Sequence, residues 1–227
     1  MTRRGLFVTG TDTGVGKTLV SCALLHVARA QGLRAVGMKP VASGCDLVDG
    51  AWHNEDALAL QAASDPRPDY ADVNPFALAH PLAPELAARD AGVAVTLAPI
   101  LAAHARLQAQ ADVVVVEGVG GWAAPLSTQL HQADLVRALH LPVVLVVGLR
   151  LGCLNHAYLT QRAIAEDGGR FAGWIATGID PDMARADDNV ALLTERLRAP
   201  CLGRLPFEAG PDPARMARLL RWPETST

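Results

Sequence analysis

The chain is 227 residues long, half of them apolar, with a formal charge of −3, which suits one α/β domain able to bury about 70–75% of its unfolded surface. No basic tract stands out and no apolar run approaches the ~20 residues of a membrane span, which argues against nucleic-acid binding and against a transmembrane segment. The N-terminus lacks a secretory apolar core, and Cys22, Cys45, Cys153 and Cys201 show neither C-x-x-C pairing nor metal-like spacing, so the expected setting is the cytoplasm.

Leu6-Phe7-Val8 is the first apolar run, and Gly10-Thr11-Asp12-Thr13-Gly14-Val15-Gly16-Lys17-Thr18 follows it, opening onto Leu19-Val20-Ser21-Cys22-Ala23-Leu24-Leu25. Strand, glycine-rich turn and helix in that order form a phosphate cradle, because the N–H groups of the turn and helix start converge on anionic oxygens. In such a turn Lys17 reaches the terminal phosphates and the Thr18 hydroxyl ligates Mg²⁺. The usual pattern has four residues between its two glycines, whereas five separate Gly10 from Gly16. The flanking strand and helix supply the context that the bare triplet Gly-Lys-Thr lacks. Val20, Leu24 and Val27 carry the helix on, and Gly32 is its expected stop.

Ala35-Val36-Gly37-Met38 reads as a short buried strand delivering the loop Lys39-Pro40-Val41-Ala42-Ser43-Gly44. Of 20 basic residues 18 are arginine, and only Lys17 and Lys39 are lysine. A chain that prefers arginine for ordinary surface charge keeps lysine where a compact ammonium fits and a planar fork does not. That marks Lys39 as a candidate beside Lys17. Asn54 to Gln61 reads as a helix with Glu55 and Asp56 in its first turn, where carboxylates complement the helix dipole; on that ground alone Asp56 is a helix-start residue. Residues 64–95, with Pro66, Pro68, Pro75, Pro81 and Pro84, read as a covering excursion with short helical pieces, not a second domain.

Pro99 to Gln110 is a predicted helix with Ile100, Leu101, His104 and Leu107 as its spaced face, and the seven histidines lack zinc-ligand spacing. Val113 to Val116 suits a strand buried on both faces of a parallel sheet. Glu117 at its carboxyl end, followed by Gly118, Val119, Gly120 and Gly121, suits a carboxylate near Mg²⁺. Leu141 to Gly148 repeats the strand pattern, and Leu151-Gly152-Cys153-Leu154-Asn155 leads into a helix through Arg162, with Asn155 a candidate N-cap. Gly173 to Thr177 is a further strand, Asp187 to Leu197 a helix, and Leu202 to Pro206 the last strand. Arg215, Arg218 and Arg221, three apart, read as the solvated face of a final helix.

Strands alternating with helices indicate a single-domain, three-layer fold over 1–227 of the P-loop NTPase-like kind, a mostly parallel central sheet with helices on both faces. In such sheets ligands bind beyond the carboxyl ends of the strands. The 10–18 turn, Lys39 with Ser43, Glu117 to Gly121, Gly148 to Asn155, and Thr177 all fall at that edge, which is the expected active site.

Several stretches resemble the dethiobiotin synthetase family: Gly-Thr-Asp-Thr-Gly-Val-Gly-Lys-Thr at 10–18, Lys-Pro-Val-Ala-Ser-Gly at 39–44 and Asp-Ala-Leu-Ala-Leu at 56–60. Val-Asn-Pro at 73–75, Val-Glu-Gly-Val-Gly-Gly-Trp at 116–122, Leu-Gly-Cys-Leu-Asn-His at 151–156 and Gly-Trp-Ile-Ala at 173–176 follow in the family's order. The resemblance spans nearly the whole chain and includes the five-residue glycine spacing. It implies an ATP- and Mg²⁺-dependent ring closure of 7,8-diaminononanoate with CO₂, through a phosphorylated carbamate, in a homodimer with sites shared across the interface.

Carried over by position, Lys39, Lys17 and Thr13 resemble the family's catalytic group, and Thr18, Asp56 and Glu117 its metal environment, which replaces the helix-start reading of Asp56. Ser43 matches a carbamate-handling residue, while Gly152, Cys153, Leu154 and Asn155 match the turn that holds the substrate carboxylate from the neighbouring subunit. Gly14, Val15, Gly16, Lys17, Thr18 and Leu19 match the nucleotide's phosphate contacts, joined by Asp56, Glu117, Gly118, Val119 and Gly120. Thr177 and Gly178, with Leu205, Pro206 and Phe207, complete the nucleotide set.

Two positions depart from the pattern. Some members have Asn-Asp where this chain has Thr177-Gly178, so a hydroxyl replaces a two-point amide, and other nucleoside triphosphates are expected to serve beside ATP. Asn189 stands where some relatives have a tyrosine that reaches the partner's substrate. The rival reading is a nucleotide-driven switch ATPase that assembles on a protein or surface. Such switches often carry an extra lysine near the start of the phosphate turn, and here that stretch is Thr11-Asp12-Thr13.

Overall fold

The valine runs at 113–116 and 143–147 are the two strands that flank the first one. In the computed structural model, which describes residues 4–224, six parallel strands form the main sheet. They are β1 (Arg4–Gly10), β2 (Ala35–Met38), β3 (Val113–Gly121), β4 (Val143–Leu149), β5 (Phe171–Gly178) and β6 (Cys201–Leu205), in the order β6-β5-β4-β1-β3-β2. The outermost residues of the expected 1–227 domain, 1–3 and 225–227, lie outside the described residues.

Two-residue periodicity explains why both faces need covering. Leu6 and Val8 of β1 join one buried cluster with Leu24 and Leu25, while Phe7 between them joins the opposite cluster with Ile100 and Leu107. Helix α1 (Lys17–Ala30) and helix α2 (Glu55–Ala63) pack on the first face, and helix α3 (Leu97–Gln110) on the second. Each such fully buried Leu or Phe side chain contributes roughly 1.5–3 kcal/mol. A polar substitution at Phe7 or Leu24 would break that face. Helix α4 (Gln132–Leu139) follows β3, α5 (Cys153–Glu166) follows β4, and α6 (Ala186–Arg196) follows β5. The expected α/β, P-loop NTPase-like arrangement is the one observed.

Three local differences have physical causes. Helix α3 begins at Leu97 rather than at Pro99, because a proline in the first turn lacks only an N–H that has no helical partner. The 64–95 excursion contains two short helices, Tyr70–Val73 and Pro84–Asp90, as expected. It also contains a strand, Phe76–Leu78, that pairs in parallel with Val41–Ser43. Such a three-residue pairing leaves no periodic signal. The final arginines do not share one helix. The α-helix Pro213–Met216 passes into a single 3₁₀ turn over Ala217–Leu219. Leu220 then bridges to Gly203 at the sheet edge, and the Arg221 guanidinium donates to the carbonyl of Cys201 at 2.6 Å. Edge pairing of the backbone outcompetes one more helical turn.

Candidate active site

Strand β1 runs into the phosphate turn, which needs left-handed backbone twice, at Gly14 (φ 72°) and Gly16 (φ 86°). Gly16 is the N-cap of α1 and offers no side-chain cap. The first-turn N–H groups therefore face the site without helical partners, a natural seat for phosphate oxygens.

Sheet register explains how distant residues meet. Met38 of β2 sits opposite Val116 of β3, so the next residues, Lys39 and Glu117, emerge side by side at the strand ends. Lys39 Nζ donates to Glu117 Oε1 at 2.6 Å and to Asp56 Oδ2 at 2.9 Å. The Thr18 hydroxyl lies 2.7 Å from Asp56 Oδ1 and 3.0 Å from Glu117 Oε1, with one proton to share between them. Asn54 caps α2 by accepting the N–H groups of Asp56 and Ala57. Asp56 is thus both a helix-start residue and a site carboxylate. The two readings are compatible because the helix points its first turn at the strand ends.

Electrostatics follow from burial. Burial alone would lower the pKa of Lys39, but Glu117 and then Asp56 outweigh it, and the ammonium is held above its ordinary range. For Asp56, burial pushes upward, yet the charge and hydrogen bond of Lys39 bring the carboxyl below the usual carboxylate range. Lys17 is different. Burial, reinforced by the nearby charge of Lys39, pushes its pKa down to about 8, while its Nζ donates to the Asp12 carbonyl at 2.9 Å. Glu117 is 0% exposed, and its Oε2 has no hydrogen-bond partner among the described residues.

These groups line a cavity of about 860 Å³ that also takes in Thr13, Gly14, Gly16, Ser43, Val119 and Gly120. Pro81 to Pro84, from the excursion, border it too, so that segment covers the site as well as the core. The excursion also holds Lys39: the Lys39 N–H donates to the Val73 carbonyl at 2.7 Å, and Asn74 Nδ2 donates to the Lys39 carbonyl at 2.6 Å.

Val15 is buried, and Leu19 half-buried, along the phosphate turn and α1. Gly118 abuts Gln132, where an added Cβ would lie 2.1 Å from Gln132 Oε1. Thr177 is buried, and its hydroxyl donates to the Val15 carbonyl at 2.6 Å, with the Val147 carbonyl at 3.3 Å. Gly178 packs against the backbone of Phe207, whose side chain is half exposed beyond the buried Leu205 and the exposed Pro206. Gly152 (φ 95°), not Asn155, is the N-cap of α5, and Asn155 lies in its first turn. The left-handed backbone there suits glycine and leaves asparagine no capping position. Gly152 to Asn155 stand outside the lining of the 860 Å³ cavity. Asn189 lies beside Cys153, with Sγ 3.8 Å from its Oδ1.

Sequence reasoning missed two supports. The buried Gln132 accepts the Val119 N–H at 2.9 Å and donates to the Gly121 carbonyl, clamping the end of β3. No local signal pairs residue 132 with residue 119. The other support is the ion pair between Asp12 and Arg150; Asp12's place inside the phosphate turn was the one available hint.

A parallel sheet carrying a glycine-rich phosphate turn, with two lysines, two carboxylates and a threonine at its carboxyl edge, belongs to the P-loop NTPase-like class. A family model described as an AAA domain matches residues 4–215. Solved structures share the fold: FtsY from Thermotoga maritima superposes with TM-score 0.51 at 19% identity, covering 95% of this chain and 67% of that one. Chloroplast FtsY from Physcomitrella patens gives 0.53 at 18% identity, with 99% and 63% covered, so this chain spans about two thirds of the length of those structures.

Sequence relatives are far closer. The chain is 64% identical to the ATP-dependent dethiobiotin synthetase BioD of Xanthomonas euvesicatoria pv. vesicatoria, covering 98% of this chain and 100% of the relative. It is 62% identical to that of Xylella fastidiosa, covering 97% and 98%. The chain belongs to the ATP-dependent dethiobiotin synthetase family.

Proposed function

We propose that the chain makes dethiobiotin from 7,8-diaminononanoate and CO₂, with conversion of ATP to ADP and phosphate, the activity its relatives' name implies. One amine takes up CO₂ as a carbamate. The carbamate oxygen then accepts the γ-phosphoryl group, and the second amine attacks the carbonyl carbon, expels phosphate and closes the cyclic urea. A carbamate is a poor electrophile until its oxygen is part of a phosphate leaving group, and bringing it to a triphosphate sets two anions together.

The observation that carries this reading is the buried Lys39 ammonium at the same cavity wall as Lys17. Two cations there offset the repulsion between carbamate and γ-phosphate in a site of low dielectric. Thr13 and Ser43 stand on the same cavity, Thr13 beside the reacting groups and Ser43 for the carbamate. Phosphates sit on residues 14–19 and 118–120, and the base lies near Thr177, Gly178 and 205–207.

Thr18, Asp56 and Glu117 fit a magnesium ion: all present hard oxygen donors, and the unpaired, buried Oε2 of Glu117 needs a partner. When bound, Mg²⁺ supplies charge neutralisation across the phosphate oxygens. The turn 152–155 serves the substrate carboxylate of a neighbouring copy in a homodimer. Its position outside its own cavity and the 96% exposure of Leu151 beside it support that arrangement. Among the described residues no helix is long and apolar enough to cross a membrane, and the four cysteines are free thiols.

Mass detection of dethiobiotin from purified protein supplied with ATP, Mg²⁺, diaminononanoate and bicarbonate tests the proposal. Nucleotide hydrolysis that ignores both substrates would favour a switch ATPase instead. Equal product from Lys39→Gln would remove Lys39 from the mechanism.

A further inference from the structure

Arg150 joins the phosphate turn to the far half of the sheet. It follows β4, and its guanidinium donates to Asp12 Oδ2 at 2.5 Å. Asp12 Oδ1 accepts the Thr13 N–H at 2.7 Å, and the Asp12 carbonyl accepts Lys17 Nζ at 2.9 Å. The carbonyl of Arg150 accepts the Cys153 N–H at 3.0 Å, closing the turn that starts α5. One residue therefore grips the 151–155 turn with its main chain and the phosphate turn with its side chain. The pair is half exposed, with side chains 40% and 47% accessible, and pairs of that kind add little to stability.

We propose that Arg150, acting through Asp12, is a positioning residue that couples nucleotide occupancy to the 151–155 turn. This rests on the reading that the turn holds a substrate carboxylate. The trigger is Lys17. To meet incoming phosphates its ammonium leaves the Asp12 carbonyl, and the peptide it releases belongs to the residue that holds Arg150. The phosphate turn, reset around its anion, then fixes the far turn through one ion pair. Nucleotide and carboxylate substrate each bind more tightly in the presence of the other, and linkage makes the effect reciprocal.

Calorimetric titration of 7,8-diaminononanoate into the full chain, with and without a non-hydrolysable ATP analogue, tests the coupling. The analogue is expected to tighten substrate binding by about fivefold or more, the lower end of typical coupling. In Arg150→Gln and in Asp12→Asn the tightening falls below about twofold, while the melting temperature stays within about 2–3 °C. Arg150→Lys, which keeps the charge, recovers part of the effect. Equal coupling in the parent and in Arg150→Gln, or no coupling in the parent, overturns the proposal. A parent protein that binds no diaminononanoate and forms no dethiobiotin overturns the functional reading, and this proposal with it. A parent that makes dethiobiotin without coupling sinks the proposal alone.

Discussion

Around the ends of β1, β2 and β3, Lys39 and Glu117 are buried and bonded to each other, and the half-buried Asp56 and Thr18 complete the cluster, Asp56 bonding to Lys39 and Thr18 to both carboxylates. At the ends of β4, β5 and β6 the chain instead presents exposed Leu151, a half-exposed Phe207 and a threonine whose hydroxyl is turned inward. The contrast separates two tasks. Phosphoryl transfer gains from charges fixed in advance in a dry site, since they need no reorganisation during reaction. In the proposed function, recognition of the base and of the substrate carboxylate falls to this other end, through main-chain groups and surfaces that a ligand or a second copy would cover.

The largest break in that contrast comes from Lys39→Gln. It leaves Glu117 and Asp56 without their shared cation, and kcat/KM for dethiobiotin formation is expected to fall about a thousandfold, some 4 kcal/mol. Urea unfolding should show a loss of about 3–5 kcal/mol, as when one partner of a buried pair is removed. A fall of less than tenfold would show that the buried end is not the catalytic one. Gly118→Ala comes next. Its methyl would press on Gln132 Oε1 and on the Phe7 ring at 3.0 Å, so stability should drop by about 1–3 kcal/mol, with activity down some tens-fold as the β3 clamp shifts. Unchanged values in both assays would mean that the clamp yields freely.

Lys17 gives a pH test. Its folded pKa of about 8 lies below its ordinary 10.5, so the unfolded chain binds more protons between those values. Its contribution to stability therefore rises with pH across that window and is least below about 8. Nucleotide binding has the opposite trend, because phosphate needs the ammonium. The Kd should weaken towards tenfold per pH unit above about 8, and Lys17→Arg should flatten that slope at the cost of geometry. A flat profile in the parent would show that Lys17 remains charged throughout.

The smallest effect probes the open end. With the base placed at Thr177 as proposed, and that residue's hydroxyl committed to the Val15 carbonyl, kcat/KM for CTP and GTP should fall within about tenfold of ATP, roughly 1.4 kcal/mol. A thousandfold preference for ATP would place base recognition elsewhere in the exposed end and weaken the contrast between the two.

Much of the buried end was legible from the chain alone. Glycine spacing announced the phosphate turn, the four valines before Glu117 announced a central strand, and the scarcity of lysine singled out Lys39. The supports were not legible. No short stretch ties Gln132 to the end of β3, and Asp12 meets Arg150 only once β4 lies beside β1. The Asn155 cap and the continuous final arginine helix were misread because both turn on backbone geometry: a left-handed Gly152 in one case, edge pairing of Leu220 in the other.

Local order of residues sufficed for the element types and for the chemistry each strand end carries, because periodicity and turn composition act over a few neighbours. Which of those ends touch was settled by strand order and register, through contacts that span 78 positions for Lys39 and Glu117 and 138 for Asp12 and Arg150. Such pairings depend on how twisted strands stack across the whole sheet. No short window of sequence contains that information.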